Sequence, residues 1–157
     1  MEKVFPSFDE AVSDVFDGAV VMVSGFGGTG GTPQNLLSAL RNQGARDLTV
    51  VSNTAGLASL LGFGTLPGQT AIDVGTLIDN DQVRKVIASY PVSPSPSKIN
   101  SFESYFRKGK IELELVPQGT LVERIRAGGA GIPAFFTPTG VGTQLSEGKE
   151  VREFEGR

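Results

Sequence analysis

The sequence predicts an α/β fold, a mostly parallel open sheet with helices on both faces. Two observations carry that prediction. The short, nearly all-apolar run at 19–23 and the run at 48–51 have the length and character of strands buried on both faces, and 83–90 reads as another strand. Between them lie stretches with helical periodicity or helix-boundary residues, and strands that alternate with helices favour parallel pairing through crossover connections.

The elements follow in order. Ser7 and Glu10 have capping-box spacing, and Phe8, Val12, Val15 and Phe16 mark one helical face that ends at Asp17-Gly18. The first strand, 19–23, runs into a glycine-rich loop. Thr32 is placed to cap the next helix, with Pro33 in its first turn, an apolar stripe of Leu36, Leu37 and Leu40, and Gly44 as its stop. The second strand, 48–51, closes at Ser52-Asn53. Residues 55–63 read as a short helix and 64–81 as mostly loop, punctuated by Gly and Asp. After the third strand, 83–90, the Pro- and Ser-rich residues 91–97 form a stiff exposed loop. One or two helical turns fit 102–107, and 111–116 alternates apolar and acidic residues as a half-exposed strand does. Thr120 and Glu123 repeat the capping-box spacing and open a helix that runs to Ala127 and stops at Gly128-Gly129. Residues 133–137 look extended, and the charged stretch 148–157 has no core pattern. The whole reads as one domain, 1–157.

Composition narrows the chemistry. The 157 residues are 39% hydrophobic and 20% charged, as in a soluble globular domain. A net charge of −3 and the lack of a basic block argue against a nucleic-acid partner. With no Cys and no His, thiol nucleophiles, Ser-His-Asp triads, thiolate metal sites and the common zinc sites are out, and no metal is expected. Chemistry must run on carboxylates, amides, hydroxyls, Lys, Arg or backbone N–H groups. Residues 1–9 do not read as a signal peptide and no apolar run reaches membrane-spanning length, so no membrane role and a cytoplasmic location are expected.

Gly25-Phe26-Gly27-Gly28-Thr29-Gly30 is a literal G-x-G-x-x-G after a strand and before a helix. As a dinucleotide fingerprint it is the minor reading. A helix precedes the strand, Gly31-Thr32-Pro33 makes the loop too long, and the second strand ends in Ser52-Asn53 rather than in an acidic residue for a ribose. A bland turn does not need five glycines in the seven positions 25–31. The favoured reading is a loop whose backbone comes close to a ligand, with a helix N-terminus behind it that suits negative charge, whether thioester or carboxylate.

Asp17-Gly18, the apolar strand, Gly25-Phe26, the glycine cluster and Thr32-Pro33 together resemble the first signature of the A-type (alpha) subunit of family I coenzyme A transferases, of the 3-oxoacid and acetate type. The stretch from Val116-Pro117-Gln118-Gly119-Thr120 through Gly128-Gly129-Ala130-Gly131-Ile132-Pro133 to Gly142-Thr143 resembles the family nearly residue for residue, and 48–56 and 83–90 fit as well. Ser24 stands where the family usually has Gly, the glycine loop is one residue longer, and 64–79 is expanded. The family's alpha subunits continue past the position of Arg157, so the chain reads as C-terminally incomplete against that pattern.

The resemblance implies a ping-pong CoA transferase, a transferase of sulfur-containing groups, that works only with a B-type (beta) subunit in a heterodimer or heterotetramer. A glutamate of the beta subunit forms the glutamyl-CoA intermediate. Coenzyme A esters and carboxylic acids are substrates, and no permanently bound cofactor is expected. Gln118 is the expected catalytic residue, stabilising an oxyanion. Ser24, Gly25, Phe26, Gly27, Gly28, Thr29, Gly30, Gly31, Asn53, Gly129, Ala130 and Gly131 are the expected CoA and substrate contacts. For several there is a plainer role: Gln118 in a turn before a helix, Asn53 as a strand terminator, Gly128 or Gly129 as a helix stop. Two other functions stay open, a decarboxylase or hydrolase component of the same fold and a non-catalytic module that binds CoA esters.

Overall fold

A computed structural model of the chain describes residues 3–26, 30–61, 68, 69 and 71–156, with the backbone alone at Ser59 and Leu61. Two compact units form, residues 1–115 and 116–157.

In the first unit, strands β1 (Val20–Met22), β2 (Leu48–Thr54), β3 (Val83–Tyr90) and β4 (Glu112–Leu115) pair in parallel in the order β1-β2-β3-β4. The intervening helices are α1 (Phe8–Ala11), α2 (Gln34–Gln43), α3 (Ala58–Leu61), α4 (Gly75–Asp79) and α5 (Ser101–Arg107). A sheet wound in one direction by right-handed crossovers carries its connecting helices on one face. The contacts agree, with α1 against α2, α2 against α4, and α4 against α5. Val50, Val86 and Ala88 of the sheet share one core with Leu37 and Leu40 of α2, Leu77 and Ile78 of α4 and Phe102 of α5. Each such large side chain contributes about 1.5–3 kcal/mol on burial.

Helices on both faces were expected; within this unit they line one. The other face carries Val20, Met22, Val51 and Ile87, with an ion pair between Lys85 and Glu114 at 3.0 Å. Val20 is 69% and Met22 60% exposed, so β1 is not buried on both faces as its apolar run suggested. It is an edge strand of the sheet.

Local chemistry sets the helix limits. Ser7 Oγ accepts from Glu10 N at 3.2 Å, as expected of the first cap. The helix nevertheless ends at Ala11, where Ser13 Oγ donates to Glu10 O at 2.8 Å and takes up a carbonyl of the last turn. Thr32 does not cap α2: Pro33 is the N-cap, with no side-chain bond, while Gly44 closes the helix at φ 87°. Helix α4 stands where loop was expected. The missed capping box is at α5, where Asn100 Oδ1 accepts from Glu103 N and Glu103 Oε2 from Asn100 N.

The second unit begins with α6 (Gln118–Ala130). Thr120 is not its cap. Leu121 N already donates to Pro117 O at 2.9 Å, so the helix starts two residues earlier. It also runs through Gly128 and Gly129 to Gly131, whose φ of 67° and the bond from Ile132 N to Ala127 O make a Schellman stop. Residues 132–137 lie outside any strand. Further on, Phe136 packs on Phe154 at 5.5 Å, with the Arg152 guanidinium 5.3 Å over the Phe136 ring.

Candidate functional site

The carboxyl ends of parallel strands are where α/β sheets hold ligands. In this sheet the register is explicit there: Ser52 lies beside Ala88 and Thr54 beside Tyr90, which sets Asn53 beside Ser89. Both project from the face opposite the helices, on the side of Val51 and Ile87. The pairing of Met22 with Val51 and the bond from Val23 N to Val51 O bring Ser24 to the same end, at the exit of β1. Nothing in the sequence pattern singles out Ser89. It becomes visible only through the register, and its Oγ is buried with no hydrogen-bond partner among the described residues.

The glycine loop folds back on itself. Ser24 Oγ donates to Gly31 O at 2.9 Å, and Phe26 N donates to Gly30 O at 2.8 Å. Gly25 has φ 131°, and a Cβ on it would lie 2.5 Å from Thr32 Oγ1; one on Gly30 would lie 2.9 Å from Phe26 O. The loop's own closure therefore accounts for these two glycines. Phe26 is exposed. Gly27, Gly28 and Thr29, also expected in the site, lie outside the described residues. On the helix side of this loop a cleft of about 690 Å³ is lined by Thr32, Pro33, Gln34, Gln69 and Ile72, among others, with no charged group among the described residues that line it.

Asn53 is followed by a loop that a single buried carboxylate organises. Asp73 Oδ2 accepts from Ala58 N at 2.7 Å and Oδ1 from Gly75 N at 2.9 Å. Burial pushes the Asp73 carboxyl above the usual range, against the pull of the Ala58, Gly75 and Leu57 amides and with a smaller upward push from Asp79. Gly56 and Gly75 meet backbone to backbone here: a Cβ on Gly56 would stand 3.0 Å from Gly75 Cα.

In the second unit Gln118 is exposed in the first turn of α6, where the helix dipole favours negative charge. Gly129, Ala130 and Gly131 are exposed at the other end of the same helix. At 1.5 Å per residue Gly129 is about 17 Å from Gln118 along the axis, too far for both to touch one small acyl group. A Cβ on Gly129 or Gly131 would meet nothing within 4 Å among the described residues, and Gly131 is accounted for by its φ of 67° at the helix stop. On the same helix the Arg126 guanidinium, bonded to Glu123 at 2.8 and 2.9 Å, pulls that carboxyl below its usual range. Among the described residues no group of three Asp and Glu side chains has the arrangement of a metal site, and no helix is long and apolar enough to cross a membrane.

Similarity to known proteins follows the same line. The family described as coenzyme A transferase matches residues 5–157. The chain belongs to the coenzyme A transferase family. It is 46% identical over 157 residues to the A-type subunit of 3-oxoadipate CoA-transferase from Pseudomonas putida, covering 100% of this chain and 61% of that protein. It is 45% identical to the A-type subunit of succinyl-CoA:3-ketoacid coenzyme A transferase from Helicobacter pylori strain J99, covering 100% of this chain and 60% of that one. The chain thus spans about three fifths of the length of these curated relatives. Among solved structures, an acyl-CoA transferase from Escherichia coli O157:H7 superposes with a TM-score of 0.70 at 24% identity, covering 96% of this chain and 32% of that chain, which is a likeness of fold.

Proposed function

We propose that this chain is part of the alpha subunit of a CoA transferase that moves CoA between an acyl-CoA and a 3-oxo or other short-chain carboxylic acid. Its partner is a beta subunit that carries the nucleophilic glutamate, and the location is cytoplasmic. The observation that carries the reading is Gln118 in the first turn of α6, inside a stretch that resembles the alpha subunits of this family nearly residue for residue.

The chemistry needs no bound metal or prosthetic group. The partner's glutamate carboxylate adds to the thioester carbonyl, the CoA thiolate leaves, and an acyl-glutamyl anhydride forms. The thiolate then adds to the glutamyl carbonyl, the carboxylic acid departs as its anion, and a glutamyl-CoA thioester remains. An acceptor acid takes the CoA by the reverse sequence. Each addition puts negative charge on an oxygen. An amide N–H of Gln118, set where the helix dipole has its positive end, is suited to that charge. Ser24, Asn53 and the glycine loop contact the acyl-CoA. Gly129, Ala130 and Gly131, far along α6, serve a remote part of the CoA ester or the partner's surface.

The test is CoA exchange between succinyl-CoA and acetoacetate by the full-length alpha subunit in complex with its beta partner. Gln118→Ala is expected to lower turnover by about 10²-fold, the scale of a lost oxyanion donor, with the fold intact. Near-normal turnover in that variant rejects the oxyanion role, and no exchange by the wild-type complex rejects the transferase reading.

A further inference from the structure

We propose that Ser89 is a substrate-binding residue, its hydroxyl donating a hydrogen bond to an oxygen of the carboxylic acid held beside Asn53. This rests on the reading of the chain as part of a transferase, and it adds a residue that neither the glycine loop nor the 116–143 motif contains.

Three observations carry it. Asn53 and Ser89 are register neighbours at the carboxyl ends of adjacent strands and project from the same face. Neighbouring strands lie about 4.8 Å apart, so an amide and a hydroxyl so placed can hold a single carboxylate or carbonyl group between them. Ser89 Oγ is also buried with no partner among the described residues. Buried hydroxyls are nearly always bonded, and one left unbonded calls for a reason. With no bond to fix its rotamer, Ser89 turns to a ligand without breaking any protein hydrogen bond. Lastly, the residues one step down the strands on that face are Val51 and Ile87. They give the pair an apolar floor, against which a bond to an anionic oxygen is stronger than in water.

The experiment compares wild type, Ser89→Ala and Ser89→Thr in the assembled complex, measuring KM separately for acetoacetate and for succinyl-CoA, with Tm alongside. Ser89→Ala is expected to raise the KM for acetoacetate about tenfold, the loss of one hydrogen bond to a charged group, with Tm unchanged or higher because an unbonded hydroxyl is gone. Ser89→Thr, which keeps the hydroxyl, is expected to stay within about threefold of wild type, the residual being the cost of one added methyl. An acetoacetate KM for Ser89→Ala within about twofold of wild type overturns the proposal, being less than the loss of such a bond. So does a fall in turnover that tracks a fall in Tm. If the wild-type complex shows no exchange, the transferase reading fails by itself. Ser89 is then judged by ligand-observed NMR with acetoacetate: binding lost in Ser89→Ala and kept in Ser89→Thr supports the assignment, and equal binding or none by the wild type rejects it.

Discussion

Asp73 Oδ2 accepts a hydrogen bond from the backbone N–H of Ala58 at 2.7 Å, joining residues fifteen apart across the loop that follows β2. The other oxygen accepts from Gly75 N, so one carboxylate ties the start of α3 to the start of α4. Asp73→Asn puts an NH₂ against one of those N–H groups. The expected loss is about 1–3 kcal/mol, one buried bond turned into a donor–donor contact. The pH dependence separates this from a generic packing defect. Asp73 titrates above 3.8 in the folded protein because it is buried. From 3.8 up to its folded pKa the native state therefore holds the extra proton, and this group's contribution to stability falls as pH rises through that window. The variant lacks that component. Its deficit relative to wild type is expected to be larger below about pH 4 and to shrink towards neutrality, as read by urea denaturation at several pH values.

A pair of glycine substitutions distinguishes strain from crowding. Gly109 has φ 69° with nothing within 4 Å of an added Cβ, so Gly109→Ala is expected to cost about 1–2 kcal/mol, the penalty of a left-handed residue alone. Gly56 has φ 94°, and its Cβ would meet backbone atoms of Gly75 at 3.0 and 3.2 Å. Backbone on both sides leaves no flexible group to yield. Gly56→Ala is expected to exceed Gly109→Ala by about 2 kcal/mol or more. Equal midpoints in urea count against the close contact.

Gln82 is fully buried, and its Nε2 donates to Leu40 O at 3.0 Å and Ala45 O at 2.9 Å while Oε1 accepts from Asn80 at 3.0 Å. It joins the end of α2 to the start of β3. Gln82→Ala is expected to cost about 2–4 kcal/mol, from the cavity and from the loss of the bonds to Ala45 O and Leu40 O, the latter keeping its bond from Gly44 N. Gln82→Glu faces carboxylate oxygen towards those same carbonyls at neutral pH. It is expected to be less stable still at about pH 7 and to recover in acid, measured by thermal melts at about pH 4 and pH 7.

How much of this could be read from residues alone depends on where the cause lies. The third strand was expected at 83–90 and is found there, because a short segment rich in Val, Ile and Tyr, with Asn80-Asp81 before it and Pro91 after it, is a local signal. The stop of α2 at Gly44 is equally local. Helix α4 was missed because its anchor is the bond from Ala58 to Asp73, a tertiary contact in a stretch whose Gly and Asp read as loop. The exposure of Val20 and Met22 follows from β1 being at an edge, which no window of sequence states. Thr120 and Glu123 have capping spacing, yet Pro117, with its fixed φ, already starts the helix and leaves Thr120 inside the first turn. Asn53 and Gln118 stood out because each sits at the end of an element. Ser89 did not, since only strand register makes it Asn53's neighbour.

The order β1-β2-β3-β4 also bears on how the sheet is assembled in time. Every strand pairs with the one next to it in the chain, so each pairing closes a single crossover and waits for no distant segment. Such local connectivity lowers contact order and favours fast folding, one βα unit after another as the chain leaves the ribosome. It also implies that the stretch between β2 and β3 would tolerate added residues. Added residues there lengthen one closure and leave every other unchanged, and doubling a loop costs only about 0.6 kcal/mol.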